Sequence, residues 1–159
     1  MEMKNSSTPK GFNTLTPYIN VKGALEAIEF YKRAFGATEV GRISMPDGSI
    51  AHAELQIGDS RIMLAEENAQ WGNVSPQTLG GSPVALCIYV ENVDAVFAKA
   101  LEEGATITGD MEVKDQFYGD RAGSLTDPFG HKWSIMTHLE DVSFEEMQKR
   151  MDQMFSVYK

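Results

Sequence analysis

The sequence is poor in cysteine and in basic residues. Its one cysteine, Cys87, cannot form an internal disulfide, which is typical of proteins in a reducing compartment. Only 14 Lys and Arg residues are present against 23 Asp and Glu, and the formal net charge is -9. Nucleic acid binding draws on clustered basic side chains, so we expect no nucleic acid partner.

Long apolar runs are also missing from the chain. No stretch approaches the roughly 20 apolar residues that are needed to cross a bilayer. Residues 1–13 are polar and lack the apolar region of a signal peptide, so we expect a disordered N-terminus there. These absences together predict a cytoplasmic protein that has no membrane partner.

What the chain does contain is an internal repeat. The tripeptide Gly36-Ala37-Thr38 recurs in the second half as Gly104-Ala105-Thr106. An amphipathic helix is predicted before each copy, and a short apolar strand before each helix. Hydrophobic residues make up 42% of the 159 residues, which is enough for two small modules that share a core.

Each predicted helix has one apolar stripe with a period of 3.6 residues and ends at a glycine suited to a left-handed cap. The first stripe comprises Ala24, Ala27, Ile28, Tyr31, Ala34 and Phe35. The second comprises Val93, Val96, Phe97, Ala100 and Leu101.

The strands are predicted from short apolar or alternating runs that are bounded by turn residues. In the first half they cover residues 15–21, 38–45, 50–57 and 60–65, and in the second half residues 83–90, 106–113, 120–126 and 132–138. Each half therefore has the order β-α-β-β-β. We expect module one at residues 14–66, a linker at 67–82 and module two at 83–139.

A third helix is predicted in residues 140–159. Ser143 is the expected N-cap, and Glu146 completes a capping box. Its apolar stripe comprises Phe144, Met147, Met151, Met154 and Phe155. We expect this stripe to pack in the core, and the alternative is that it covers a partner.

These elements predict an α+β fold. Two βαβββ modules would form a curved mixed sheet with the helices on its outer face, plus the C-terminal helix. Because helices cover one face only, the concave face stays open, and a pocket for a small molecule is expected there.

Several segments resemble the vicinal oxygen chelate (glyoxalase/bleomycin resistance/dioxygenase) superfamily. They are residues 16–21, 27–37, 45–48 and 50–55 in the first half, and 119–123 and 127–133 in the second. The last two segments are similar to its PhnB-like branch, and the likeness covers residues 15–150. The resemblance implies the paired-module fold and a twofold homodimer. It says little about function, since this superfamily hosts isomerases, dioxygenases, transferases and drug-binding proteins.

The resemblance also bears on metal binding. Metal-dependent members resembling glyoxalase I use four His or Glu ligands, two from each module. Carried over by position, these ligands fall on Thr16, Met63, Ala85 and Ser134. None of the four is an ordinary ligand for a divalent metal, so we predict no metal and no other cofactor. An unorthodox metal site made by His52, Glu54 and His138 is the alternative.

The strand at 50–57 alternates between two faces. Its apolar residues should pack on a helix, which leaves His52, Glu54 and Gln56 to line the cleft or to meet solvent. By the same register we expect the cleft to be lined by Tyr18, Asn20, Arg61, Cys87, Tyr89, Ser124 and His138. The loop residues expected at its rim are Trp71, Phe117 and Tyr118.

Three functions remain open from the sequence. The first is a protein that binds a small molecule in the cleft without a metal. The second is a lyase, isomerase or transferase in which His52 and Glu54 act as acid–base residues. The third is an assembly module that acts through the last helix. Cys87 is expected to be inert, and Arg121 is expected to form ion pairs, with anion binding as the alternative.

Overall fold

The computed structural model describes residues 7–156. The predicted disordered N-terminus lies in part, at residues 1–6, outside these described residues. The chain divides into two compact units between Ser82 and Pro83. The elements of the first unit are β1 (Tyr18–Val21), α1 (Ala24–Phe35), β2 (Thr38–Ser44), β3 (Ile50–Ile57), β4 (Ser60–Glu66), a 3₁₀ turn (Ala69–Trp71) and α2 (Pro76–Leu79).

The second unit repeats the order of the first and adds a terminal helix. Its elements are β5 (Ala85–Tyr89), α3 (Val93–Glu102), β6 (Thr106–Ile107), β7 (Lys114–Asp115), β8 (Asp120–Thr126), β9 (Lys132–His138) and α4 (Phe144–Phe155).

Each unit contains one mixed sheet. The first has the strand order β1-β4-β3-β2, with β1 parallel to β4 and the other pairs antiparallel. The second has the order β5-β9-β8-β6, with β5 parallel to β9, and β7 pairs with β8. This arrangement confirms the predicted α+β class, with two sheets of mixed strand order, helices on one side and a C-terminal helix.

Helix α1 covers one face of the first sheet, because its apolar stripe meets the apolar positions of the strands. The predicted stripe residues are all buried. They pack near the buried strand residues Ile19, Val21, Ala53, Leu55, Ile62 and Leu64. In the second unit α3 contacts β8 and β9, where Leu125, Trp133 and Ile135 are buried. Of the second predicted stripe, Val93, Phe97 and Ala100 are buried, whereas Val96 and Leu101 are half-buried. The periodicity of the sequence therefore predicted the core of the first unit fully and that of the second in large part.

In each unit, a side chain from the final strand in chain order also caps the start of the helix. Helix α1 starts at Gly23, which has no side chain, and the Glu66 carboxylate accepts hydrogen bonds from the amides of Gly23 and Ala24 at 2.9 and 2.7 Å. At the start of α3 the Thr137 hydroxyl accepts from the Val93 amide at 3.0 Å. Both side chains satisfy amides that have no partner inside the helix.

The strand predicted at residues 106–113 is interrupted. Of the predicted residues only β6 (Thr106–Ile107) forms a strand, and a turn follows in which Gly109 has a φ of 55°. The short strand β7 (Lys114–Asp115) lies beyond the predicted range, in a segment that was predicted as a loop. The Thr108 amide donates to the Ser124 carbonyl at 3.0 Å, and the Ser124 amide donates to the Met111 carbonyl at 2.9 Å. The segment between β6 and β7 thus stays hydrogen-bonded to β8, although it does not continue the regular antiparallel pairing.

The expectation that the apolar stripe of the last helix packs in the core is wrong. No residue of α4 is buried, and Phe144 and Phe155 are 88% and 60% exposed. The Ser143 cap was predicted correctly, because its hydroxyl accepts from the Glu146 amide at 3.2 Å. The helix is attached by Arg150, which donates to the Phe117 carbonyl at 3.0 Å.

Within residues 7–156, no helix combines the length and the apolar character needed to cross a membrane.

Candidate functional site

The uncovered face of the first sheet carries a network of polar side chains from β1, β3 and β4. His52 Nδ1 lies 3.3 Å from the Tyr18 hydroxyl, and His52 Nε2 lies 3.4 Å from Glu54 Oε1. Arg61 donates to Glu54 at 3.2 Å and to Gln56 Oε1 at 3.1 Å. The structure therefore connects five of the side chains that the sequence predicted for this part of the site.

The guanidinium of Arg61 contacts residues of β3 and of the segment that precedes β1. It lies over the Phe12 ring, 4.9 Å from the centroid, in addition to its bonds to Glu54 and Gln56. A Cβ on Gly11 would lie 2.7 Å from the Arg61 Nη2 atom, so glycine allows this close approach. Asn20, the sixth predicted residue of this unit, is half-buried on β1.

A pocket of about 350 Å³ lies on the uncovered face of the second sheet. Its apolar and sulfur-bearing walls come from Tyr89, Tyr118, Cys87, Met111, Ala122 and Met136. Its polar groups come from Ser124, Ser134, Gln116, Asp110, Lys114 and Asp120. Asp110 and Met111 reach this wall because the predicted strand at 106–113 is interrupted there.

A chain of four hydrogen-bonded side chains runs beside this pocket. The Tyr89 hydroxyl donates to Asp120 Oδ2 at 2.9 Å, and His138 Nδ1 lies 2.7 Å from Asp120 Oδ1. His138 Nε2 lies 2.8 Å from Asp141 Oδ1. Only a protonated imidazole donates from both ring nitrogens, so the two carboxylates favour the imidazolium form of His138.

A second pocket of about 400 Å³ shares its wall with the first. Tyr89, Tyr118 and Asp120 line both of them. The other side of the second pocket is formed by His138 and by the segment that leads into α4, namely Asp141, Val142 and Met147. The terminal segment therefore contributes to the candidate site.

Hydrogen bonds and charges within the site shift several pKa values. The hydrogen bond to Asp120 raises the pKa of the Tyr89 hydroxyl, and burial followed by the Asp120 charge raises the pKa of Tyr118. Both phenols therefore stay protonated at neutral pH and remain hydrogen-bond donors. The bond to Asp120, followed by the bond to Asp141, raises the pKa of His138 above its ordinary value.

We expect the Asp141→Asn substitution to lower the pKa of His138, since it removes one of the two carboxylates that favour the imidazolium. An NMR titration of the His138 ring protons measures this shift. In the wild type the raised pKa means that the protonated form stabilises the fold below the unfolded-state pKa. That stabilisation is lost as the pH rises through the higher folded-state pKa.

Glu145→Gln is the matched control, because it removes a carboxylate of the same terminal segment that pairs with Lys149 at 3.8 Å and has no bond to His138. It should leave the His138 titration unchanged. A wild-type His138 that titrates at or below the ordinary value, or an equal shift in both variants, would contradict the arrangement.

The remaining predicted residues lie in the second unit. Cys87, Tyr89 and Ser124 line the first pocket, and His138 lines the second. The assignment of these residues and those of the first unit to one common cleft stays a prediction. Sequence reasoning missed Asp120 as a site residue, although the alternation that selected Ser124 on β8 also places Asp120 on the same face.

Two further expectations concern reactive and charged groups. Arg121 bonds to Asp94 at 2.8 Å through two nitrogens and to Asp115 at 2.9 Å, which confirms the predicted ion pairs. Cys87 is exposed rather than buried, so its predicted inertness does not follow from burial.

Trp71, expected at the rim, is exposed in the 3₁₀ turn of the first unit.

The positions that resemblance assigns to metal ligands do not offer a suitable donor set. Thr16 donates to the Asn13 carbonyl, and Ser134 shares a 3.0 Å hydrogen bond with Ser124. Met63 and Ala85 provide neither an imidazole nor a carboxylate. In the part of the chain that the structure describes, no three His, Cys, Asp or Glu side chains converge on a point that could hold a metal ion.

Comparison with protein families identifies a match over most of the chain. The sequence model of the Glyoxalase/Bleomycin resistance protein/Dioxygenase superfamily matches residues 11–135. An uncharacterised protein of Mycobacterium tuberculosis (strain H37Rv) is 41% identical over 140 residues, which cover 86% of this chain and 81% of that protein.

Solved structures show the same fold. The X-ray structure of an Arabidopsis thaliana gene product is similar, with 28% identity and a TM-score of 0.61, over 78% of this chain and 98% of that one. A PhnB protein from Bacillus cereus has 20% identity and a TM-score of 0.61, over 79% of this chain and 99% of that one. At this lower identity the likeness concerns the fold alone.

Proposed function

Because this chain belongs to the Glyoxalase/Bleomycin resistance protein/Dioxygenase superfamily, we propose that it binds a small organic molecule in the pockets of its second unit. The observation that carries this proposal is the pocket of about 350 Å³ on the uncovered face of β5, β8 and β9. We further propose that binding needs no metal.

The size and lining of the pocket support a small organic ligand. Small-molecule sites usually have volumes of about 300–1,000 Å³ and combine apolar walls with a few polar anchors. Tyr89, Tyr118 and Met136 supply such walls, while Ser124 and Asp120 supply hydrogen-bonding groups. The adjoining pocket of about 400 Å³ leaves room for a ligand that extends toward the terminal segment.

The metal-free part of the proposal is supported by the donor chemistry of the chain. A catalytic metal site needs about three converging His, carboxylate or thiolate ligands. By resemblance, the ligand positions of metal-dependent superfamily members fall on Thr16, Met63, Ala85 and Ser134, which provide no imidazole or carboxylate. His138 is bonded at both ring nitrogens to Asp120 and Asp141, so neither nitrogen is free to bind a metal.

Filling the first pocket should abolish binding. We expect fragment-library hits, detected by two-dimensional ¹H–¹⁵N NMR of the wild-type chain, to shift resonances of β5, β8 and β9. Cys87→Trp should lose these hits because the indole occupies the pocket that Cys87 lines. Val40→Trp adds the same bulk at an exposed position on β2 and should keep them.

Two results would contradict the proposal. One is that hits persist in Cys87→Trp with unchanged affinity, which would place binding elsewhere. The other concerns the metal: a divalent ion that stabilises the wild type strongly at stoichiometric concentration, where no organic fragment does so, would contradict metal-free binding. Thermal unfolding with and without each ion measures this second point.

Acid–base catalysis by His52 and Glu54 is the second candidate. It is favoured by the series of contacts from Tyr18 through His52 to Glu54 on the face of the first sheet. Its two distances, 3.3 and 3.4 Å, are longer than those of strong hydrogen bonds to charged groups, which lie near 2.7–2.9 Å. Because of these longer distances, we favour ligand binding in the pocket over acid–base catalysis by His52 and Glu54.

Membership of the PhnB-like branch, a twofold homodimer and a cytoplasmic location also belong to the proposal. The branch is supported by the motifs at residues 119–123 and 127–133 and by a structural neighbour of that name.

A further inference from the structure

Asp120 occupies a special position among the residues that line the two pockets. It is only 5% exposed, and it lies at the wall that the first and second pockets share. A buried carboxylate at such a wall meets any ligand that fills either pocket. Burying a polar ligand group against it without a matching hydrogen bond is costly, so its chemistry must affect the choice of ligand.

The hydrogen bonds of Asp120 leave room for a ligand. A carboxylate has about four acceptor positions, two on each oxygen. Tyr89 occupies one position on Oδ2, and His138 occupies one on Oδ1. The remaining acceptor positions on the two oxygens of Asp120 accept hydrogen bonds from a ligand but donate none.

We propose that Asp120 determines the ligand specificity of this site by selecting molecules that present a hydrogen-bond donor. The strongest donor is an ammonium group carried on an aromatic or apolar body, which the walls formed by Tyr89, Tyr118 and Met136 accommodate. A carboxylate or phosphate at the same place meets a buried acceptor and is rejected. This inference rests on the proposed small-molecule binding.

Tyr89 and His138 act as positioning residues in this scheme. Each bonds a different oxygen of Asp120, which fixes the plane of the carboxylate against the shared wall. Asp141 in turn bonds the outer nitrogen of His138 at 2.8 Å. The other charged groups of the first pocket, Asp110 and Lys114, lie on exposed turn and strand positions of the wall opposite β9.

Lys114 is the alternative candidate for the residue that determines ligand specificity. As the one ammonium among the first-pocket lining residues, it would attract an anionic ligand if it governed selection. The preference between an amine and a carboxylate probe therefore decides which residue controls the site. Asp120 is the buried group of the two, and buried charges are screened less by solvent than exposed ones.

The test uses three probes of similar size that carry different polar groups on a phenyl ring: benzylamine, benzyl alcohol and benzoate. Their dissociation constants for the full wild-type chain are measured at pH 7 by ¹H–¹⁵N NMR titration. We expect benzylamine to bind at least about tenfold more tightly than benzoate, with benzyl alcohol between them, since charge-assisted hydrogen bonds are the stronger ones. Equal affinities, or a preference for benzoate, overturn the inference.

Asp120→Asn tests the residue itself. The amide keeps the shape of the side chain but offers a donor as well as an acceptor, so the ratio of benzylamine to benzoate affinity should fall by about tenfold. Asp115→Asn is the matched control, because it neutralises an exposed carboxylate of β7 that pairs with Arg121 outside the pocket. It should keep the wild-type ratio. A ratio that is unchanged in Asp120→Asn overturns the assignment.

The wild-type measurement keeps the inference falsifiable even if Asp120→Asn does not fold. It also separates this inference from the proposed function. If the fragment library gives hits on β5, β8 and β9 but the amine has no advantage, pocket binding stands and the role of Asp120 is overturned. If no fragment or probe shifts these strands, both proposals are overturned together.

Discussion

Replacing Trp133 by alanine should lower the free energy of unfolding by about 3–5 kcal/mol, the usual loss for a large aromatic side chain in a core. Trp133 is 1% exposed and lies on the helix-facing side of β9, next to Ile135 on the same face. The substitution leaves a cavity beneath α3 that the surrounding side chains fill only in part. Urea denaturation followed by far-UV circular dichroism measures the loss.

Trp133→Phe separates the packing of the ring from its hydrogen bond. The indole Nε1 donates to Asp127 Oδ2 at 2.8 Å, and both side chains are buried. Phenylalanine keeps most of the ring but removes the donor, so we expect a smaller loss of about 1–3 kcal/mol. A loss below about 1 kcal/mol for Trp133→Ala would contradict the burial of this residue in solution.

The helix-facing cores could be predicted because they depend on local periodicity. The stripe that contains Ile28 and Tyr31 repeats every 3.6 residues, and the alternation that contains Ala53 and Leu55 repeats every two. Both patterns follow from backbone geometry within one element. All four of these residues are buried, so the two patterns were enough to assign the helix face and the strand face that pack on each other.

Contacts between distant parts of the chain could not be predicted in this way. The carboxylate of Glu66 caps a helix that starts 42 residues earlier in the chain, and no local pattern indicates that pairing. The same holds for Asp120, whose partners Tyr89 and His138 lie 31 and 18 residues away. The alternation of β8 gave the face on which Asp120 lies, but its role at the shared pocket wall needed the structure.

The interrupted strand and the last helix show a second limit of prediction from the sequence. Residues 106–113 have the composition of one strand, yet only residues 106–107 form one, and the turn at Gly109 brings Met111 to the pocket. The stripe of α4 has the period of a packed helix, but Phe144 and Phe155 are exposed in this chain. Periodicity assigns a face to an element and does not identify what covers that face.

Gly119 joins the pocket wall to the terminal segment. It lies between Tyr118 and Asp120, which line both pockets, and has a φ of 98°. Its carbonyl accepts hydrogen bonds from the Leu139 and Glu140 amides at 2.9 and 3.0 Å. A Cβ at this position would overlap the carbonyl oxygen of Glu140, so the close approach of the two backbones requires glycine.

Gly119→Ala should therefore lower the free energy of unfolding by about 2–4 kcal/mol, from the unfavourable positive φ together with the steric overlap. Gly109→Ala is the matched control, because Gly109 also has a positive φ, 55°, but an added Cβ there meets no described atom within 4 Å. It should lose only about 1 kcal/mol. Urea denaturation of both variants measures the difference, and equal losses would contradict the contact with Glu140. The NMR resonances of Tyr118, Asp120 and His138 should shift in Gly119→Ala, because the backbone that holds both pockets has to move.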